Sequence, residues 1–187
     1  MLNKTRHPDS PMNRNYIDLE AAEPQRHIIS VLIENESGAL SRVANLFSAR
    51  GYNIEAMSVA PTNEPSISRM TLVAIGNEQI IEQITKQLNK LLDVIKLIDL
   101  TETNHIEREM MLVKVSAEQA NRDEIMRLAD IFRGRIIDVA ENSYTIELTG
   151  TGEKLTAFLD VLSKMNVIEV VRSGALAIAR GDKALHL

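Results

Sequence analysis

The order strand, helix, strand, strand, helix, strand is written twice along this chain, and the repetition restricts the folds open to its 187 residues. The signal is a hydrophobic period that switches between alternation and three- or four-residue steps. The first pass predicts a strand over 27–33, a helix over 39–50, strands over 53–60 and 67–75, a helix over 78–91 and a strand over 94–100. After a polar bridge the second pass predicts a strand over 109–115, a helix over 122–133, strands over 135–140 and 144–148, a helix over 153–164 and a strand over 167–171. Each pass is a ferredoxin-like βαββαβ unit, so the expected class is α+β with two such domains in tandem. Units of this size bury modest cores and leave sheet edges open, which favours pairing with a second copy. The apolar stretch 175–179 follows the last strand and is expected to extend it or to form a partner-facing arm.

Local chemistry is densest between Glu34 and Glu55. A β-branched run ends, Asn35, Ser37 and Gly38 make a turn, and a helix opens with apolar positions Leu40, Val43, Ala44 and Phe47 before stopping at Gly51. Amides in the first turn of a helix lack intrahelical acceptors and sit at the positive end of its dipole, so the segment from Ser37 to Leu40 can receive a carboxylate or phosphate. Gly38 allows a close approach to the backbone, although a glycine after a strand serves equally as a plain turn residue. Asn77 is placed to cap the second helix. A net charge of −5 with scattered basic residues argues against nucleic acid or an anionic membrane as partner. Aromatic residues make up only 3% of the chain, too few for a sheet that stacks bases, and no basic helix-turn-helix is visible. Absence of cysteine removes disulfides and thiol nucleophiles, as expected of a cytoplasmic protein.

Other candidates take ordinary readings. The histidines, His7, His27, His105 and His186, share no ligand spacing, and His27 and His105 are expected at the surface. Asp123 and Glu124 complement the dipole of a helix they open. Gly150 to Glu153 lacks the phosphate-loop pattern and reads as a turn with a helix cap. Met110 and Met111 are expected in the core. No nucleophile and base stand together, which speaks against an enzyme.

ENESGALSRVANLFSARGYNIE at 34–55, SVAPTNEPSISRMTLVAIG at 58–76, EREMMLVKV at 107–115, FRGRIIDV at 132–139 and RSGALAIARGDK at 172–183 together resemble the regulatory (small) subunit of acetolactate synthase, or acetohydroxyacid synthase. The resemblance implies an ACT domain over 26–101 that binds an amino acid and pairs sheets in a homodimer, a linker over 102–108, a second ferredoxin-like domain over 109–187, and a flexible extension over 1–25. Its function would be in valine, isoleucine and leucine biosynthesis: no catalysis of its own, activation of a large catalytic subunit, and feedback inhibition by valine at the dimer interface. The implied valine contacts are Asn35, Ser37, Gly38, Ala39 and Leu40 of one chain with Asn53 and Ile54 of the other, supported by Ser41, whose hydroxyl could equally satisfy a backbone group. Thiamine diphosphate, Mg2+ and FAD would belong to the large subunit. The loop at 62–65, with Ser66, Ser68 and Arg69 after it, is a candidate surface for gripping that subunit, although a solvated turn would read the same. A stand-alone ACT regulator of another enzyme is the alternative.

Overall fold

The computed structural model describes residues 24–187. Residues 1–23 of the expected extension, with His7, lie outside the described residues, and Gln25 already begins the first strand. The first unit runs β1 (Gln25–Glu34), α1 (Ala39–Ala49), β2 (Ile54–Pro61), β3 (Ile67–Gly76), α2 (Glu78–Leu88) and β4 (Val94–Asp99). The second runs β5 (His105–Ser116), α3 (Arg122–Ile131), β6 (Arg135–Val139), β7 (Ser143–Gly150), α4 (Gly152–Leu162) and β8 (Val167–Arg172), followed by β9 (Leu176–Ala179). Both sheets are antiparallel, ordered β2-β3-β1-β4 and β6-β7-β5-β8. Among the described residues no helix is long and apolar enough to cross a membrane.

Each sheet turns one face to its own pair of helices. Ile29, Val31 and Ile33 of β1 pack with Val43 and Phe47 of α1 and with Ile81, Ile84 and Leu88 of α2. Met111, Val113 and Val115 of β5 pack with Ile125, Leu128, Leu155, Phe158 and Leu162. Strand alternation separates the two methionines: Met111 is buried, whereas Met110, expected beside it in the core, is 43% exposed. Asn77 caps α2 by accepting the Ile80 N–H at 2.9 Å. That helix ends at Leu88, short of the expected 91, because Lys90 and Leu91 donate to the carbonyls three residues back and tighten the last turn.

The units meet through β1 and β9. Seven consecutive residues of β1, His27 to Ile33, are buried, which requires cover on both faces of the strand. The helices cover one face. Toward the other, Ala177 of β9 packs with Ile28 and Leu100, flanked by Ile98 and Ala179. β9 runs beside the N-terminal part of β5, pairing His105 to Arg108 with Ala179 to Leu176. Residues 105–108, expected as linker, are therefore strand. Met111 stands opposite Arg172 and Arg108 opposite Leu176, so β9 prolongs the course of β8 along β5 after a bulge at 173–175, with Gly174 at φ 76°. Arg26 locks the joint with a bidentate pair to Glu107 at 2.7 and 3.2 Å.

The same burial corrects the expectation for His27. Its position at a strand start reads as surface, but the residue is 6% exposed, with Nδ1 3.8 Å from an Asp99 carboxylate oxygen. His105 is half-buried, with Nδ1 2.7 Å from the Thr103 carbonyl oxygen.

Candidate functional site

Between β1 and α1 the chain reverses through Asn35 to Gly38. Gly38 takes φ 90° and ψ −12°, a left-handed backbone that side-chain-bearing residues rarely adopt, and stands at the N-cap of α1 without a side-chain cap. The first helical hydrogen bond runs from the Arg42 N–H to the Gly38 carbonyl at 3.0 Å, and the Ala39 N–H turns back to the Glu36 carbonyl at 3.3 Å. Leu40 and Ser41 therefore present their N–H groups ahead of the helical ladder, at the positive end of its dipole.

Asn35 holds this turn against the loop that follows β2. Its backbone N–H donates to the Ser66 carbonyl at 2.7 Å, and its side-chain amide donates to the Pro65 carbonyl at 2.8 Å. The amide oxygen accepts from the Ser68 hydroxyl at 3.1 Å, which leaves it one further lone pair. Ser37 and Ser41 are exposed. Ala39, expected among the valine contacts, is 2% exposed and packs into the first core, so Leu40, 42% exposed, supplies the apolar surface of the turn.

Two residues outside the sequence reading complete the turn. Arg42 donates from Nε and Nη2 to the carboxylate of Asp93, whose side chain is nearly buried and whose backbone carbonyl accepts the Glu34 N–H at 2.9 Å. This hydrogen bond holds the Asp93 carboxyl below its ordinary range and raises the Arg42 guanidinium. Nη1, the nitrogen that Asp93 does not use, stands over the turn: a Cβ added at Gly38 would lie 2.9 Å from it. A guanidinium and free helix-start amides thus face one small exposed turn, a donor set suited to a carboxylate. A cation in the first turn, where the dipole disfavours it, is the sequence signal that marks Arg42. Asp93 carries no local signal, since its partner is remote in the chain.

Asn53 and Ile54 lie elsewhere in the chain. Gly51, at φ 69°, follows α1, Asn53 is exposed, and Ile54 opens the edge strand β2. They flank the far end of α1, an 11-residue helix and so about 16 Å long, and do not reach the Gly38 turn within one chain. The structure gathers Asn35, Ser37, Gly38, Ala39, Leu40 and Ser41, and leaves Asn53 and Ile54 apart.

Comparison with known proteins gives a consistent picture. Residues 29–96 match the family described as the AHAS small subunit-like ACT domain, and residues 108–181 match the family described as the small subunit of acetolactate synthase. The chain is 57% identical over 159 residues to the acetolactate synthase small subunit of Haemophilus influenzae, covering 84% of this chain and 98% of that one. It is 53% identical over 162 residues to the acetolactate synthase isozyme 3 small subunit of Escherichia coli K12, covering 86% and 99%. The crystal structure of the acetolactate synthase small subunit from Thermotoga maritima is similar at a TM-score of 0.78 and 40% identity, covering 85% of this chain and 99% of that one.

Proposed function

The chain belongs to the family of acetolactate synthase small subunits, the regulatory subunits of that enzyme, and from that premise we propose that it is a valine sensor acting on a large catalytic subunit. The chain dimerises through its first unit, docks on the thiamine-diphosphate-dependent subunit and raises its activity, and valine bound at the dimer interface lowers that activity. Thiamine diphosphate, Mg2+ and FAD are assigned to the large subunit.

The observation that carries the reading is the uncapped start of α1 beneath the free edge of the Arg42 guanidinium. The valine carboxylate takes the Leu40 and Ser41 amides and Arg42 Nη1. Its ammonium takes the remaining lone pair of the Asn35 amide oxygen and the Asn53 amide oxygen of a second protomer. The isopropyl group lies between Leu40 and Ile54 of that second protomer, across the edge strand β2. Inhibition then requires valine to bind the less active state more tightly, and a coupling of about 1 to 3 kcal/mol changes affinity roughly 5- to 150-fold.

Isothermal titration with L-valine tests the site, with L-threonine as the near-isosteric polar control. Gly38→Asp sets a carboxylate where the ligand's would sit, so saturable valine heat is expected from the wild type and absent from the variant. Leucine and isoleucine should bind more weakly without being excluded, one methylene being worth about 1 to 3 kcal/mol in such a pocket. Normal valine binding by a folded Gly38→Asp chain would move the site elsewhere.

A further inference from the structure

On the face of the first sheet away from its helices, Leu32 of β1 stands opposite Arg69 of β3, and Arg69 opposite Ala60 of β2. β9 crosses this face and leaves a groove of about 550 Å³, lined by Leu32, Arg69 and Thr71 of the sheet and by Ile106, Arg108, Leu176 and Ile178. Arg69 donates Nε to the Ser30 hydroxyl at 3.0 Å and Nη2 to the Ala177 carbonyl at 3.3 Å. A guanidinium carries five donors, so three remain. Burial alone pushes the Arg69 pKa down, with no carboxylate beside it among the described residues. Among the described residues the Arg108 side chain donates only to the neighbouring Glu107 carbonyl, at 2.6 Å. The groove thus has an aliphatic lining, two guanidinium groups and, among the described residues, no acidic one.

The geometry points to a second ligand site, for a small organic anion with an aliphatic body, its acidic group on Arg69 and Arg108 and its body against Leu32, Ile106 and Ile178. The volume falls in the range of small-molecule pockets, about 300 to 1,000 Å³, whose lining is mostly apolar with a few placed polar groups. A half-buried guanidinium without a counter-ion costs folding free energy, and an anion in the groove relieves that cost. Lacking acidic residues, the groove does not favour an ammonium, so a zwitterionic amino acid is the wrong ligand and the site is chemically distinct from the Gly38 turn.

The 15N-labelled full chain titrated with 4-methylpentanoate is the test, with 4-methylpentanamide as the neutral match of equal shape. Saturable shifts are expected at Thr71, Ile106, Ala177 and the Arg69 Nε–H, at least tenfold weaker in affinity for the amide and for Arg69→Met, which keeps the aliphatic stem. Equal binding of acid and amide, a full response in Arg69→Met, or shifts confined to other surfaces would overturn the proposal. The acid-against-amide comparison stands on the wild type alone, whatever the variant's stability. L-valine added in a parallel titration should leave the groove resonances unmoved, so failure at the Gly38 turn and failure at the groove read out separately.

Discussion

A cation in the first turn of an α-helix opposes the helix dipole, so Arg42 needs a counter-charge, and Asp93, 51 residues later, supplies it. The pair ties α1 to the α2–β4 connection, and the Asp93 carbonyl ties that connection to the end of β1, so the Gly38 turn is braced from a remote segment. Because the folded carboxyl of Asp93 is held below its ordinary value, its contribution to stability is fully present above the unfolded value, about 3.9. That contribution is lost as pH falls through the folded value. Asp93→Asn should therefore lower the urea midpoint near neutrality, and its gap from the wild type should narrow below about pH 4. A gap of the same size at about pH 3 and pH 7 would mean that the carboxylate's charge contributes nothing. Gly38 and Asn77 were legible in the sequence because their roles depend on residues within a turn of themselves. Arg42 with Asp93, and the burial of His27, depend on chain neighbours far away in sequence, and no local pattern encodes those.

Helix ends show the same division between local signal and tertiary override. Phe132, Arg133 and Gly134 read like the ending of α1, where Gly51 takes the left-handed position. At the end of α3, however, Arg133 takes it, at φ 56°, while the Gly134 N–H donates to the Ala129 carbonyl at 2.7 Å. Gly134 meets a different need: a Cβ there would lie 3.1 Å from the Glu147 carbonyl oxygen and 3.3 Å from Ile146 Cγ2, so its missing side chain lets the turn approach β7. A left-handed backbone costs an ordinary residue about 1 to 2 kcal/mol, and a new glycine returns part of that as unfolded-state entropy. Arg133→Gly should therefore stabilise the chain by about 0.5 to 1 kcal/mol, read as a raised urea midpoint at unchanged slope. A lowered midpoint would show that the Arg133 side chain contributes more than its backbone costs. The strand order is legible because alternation is a local property, whereas the pairing of β9 carries no local signal, since its partner, the start of β5, is some 70 residues away.

At the scale of the whole molecule, two well-filled cores are joined by a small one, and the joint depends on a few close contacts. Ser58 of β2 donates to the Ser173 carbonyl at 2.8 Å, and Gly174 beside it bends at φ 76° against β2. A Cβ at Gly174 would stand 2.9 Å from the Ser58 hydroxyl and 3.6 Å from the Ala56 side chain. Gly174→Ala therefore strains the backbone by about 1 to 2 kcal/mol and pushes directly on the seam, while neither large core contains the residue. If β2 yields, β9 lifts from the open face of the first sheet, Ala177 leaves Ile28 and Leu100, and the units lose the contact through which they unfold together. Calorimetry should then resolve two heat-absorption peaks in the variant where the wild type gives one, with the summed enthalpy nearly kept because both main cores persist. A single peak moved to lower temperature would instead mean that the bulge at 173–175 absorbs the added methyl and that Arg26 with Glu107 carries the joint. The two outcomes separate a hinge from a weld between the two units.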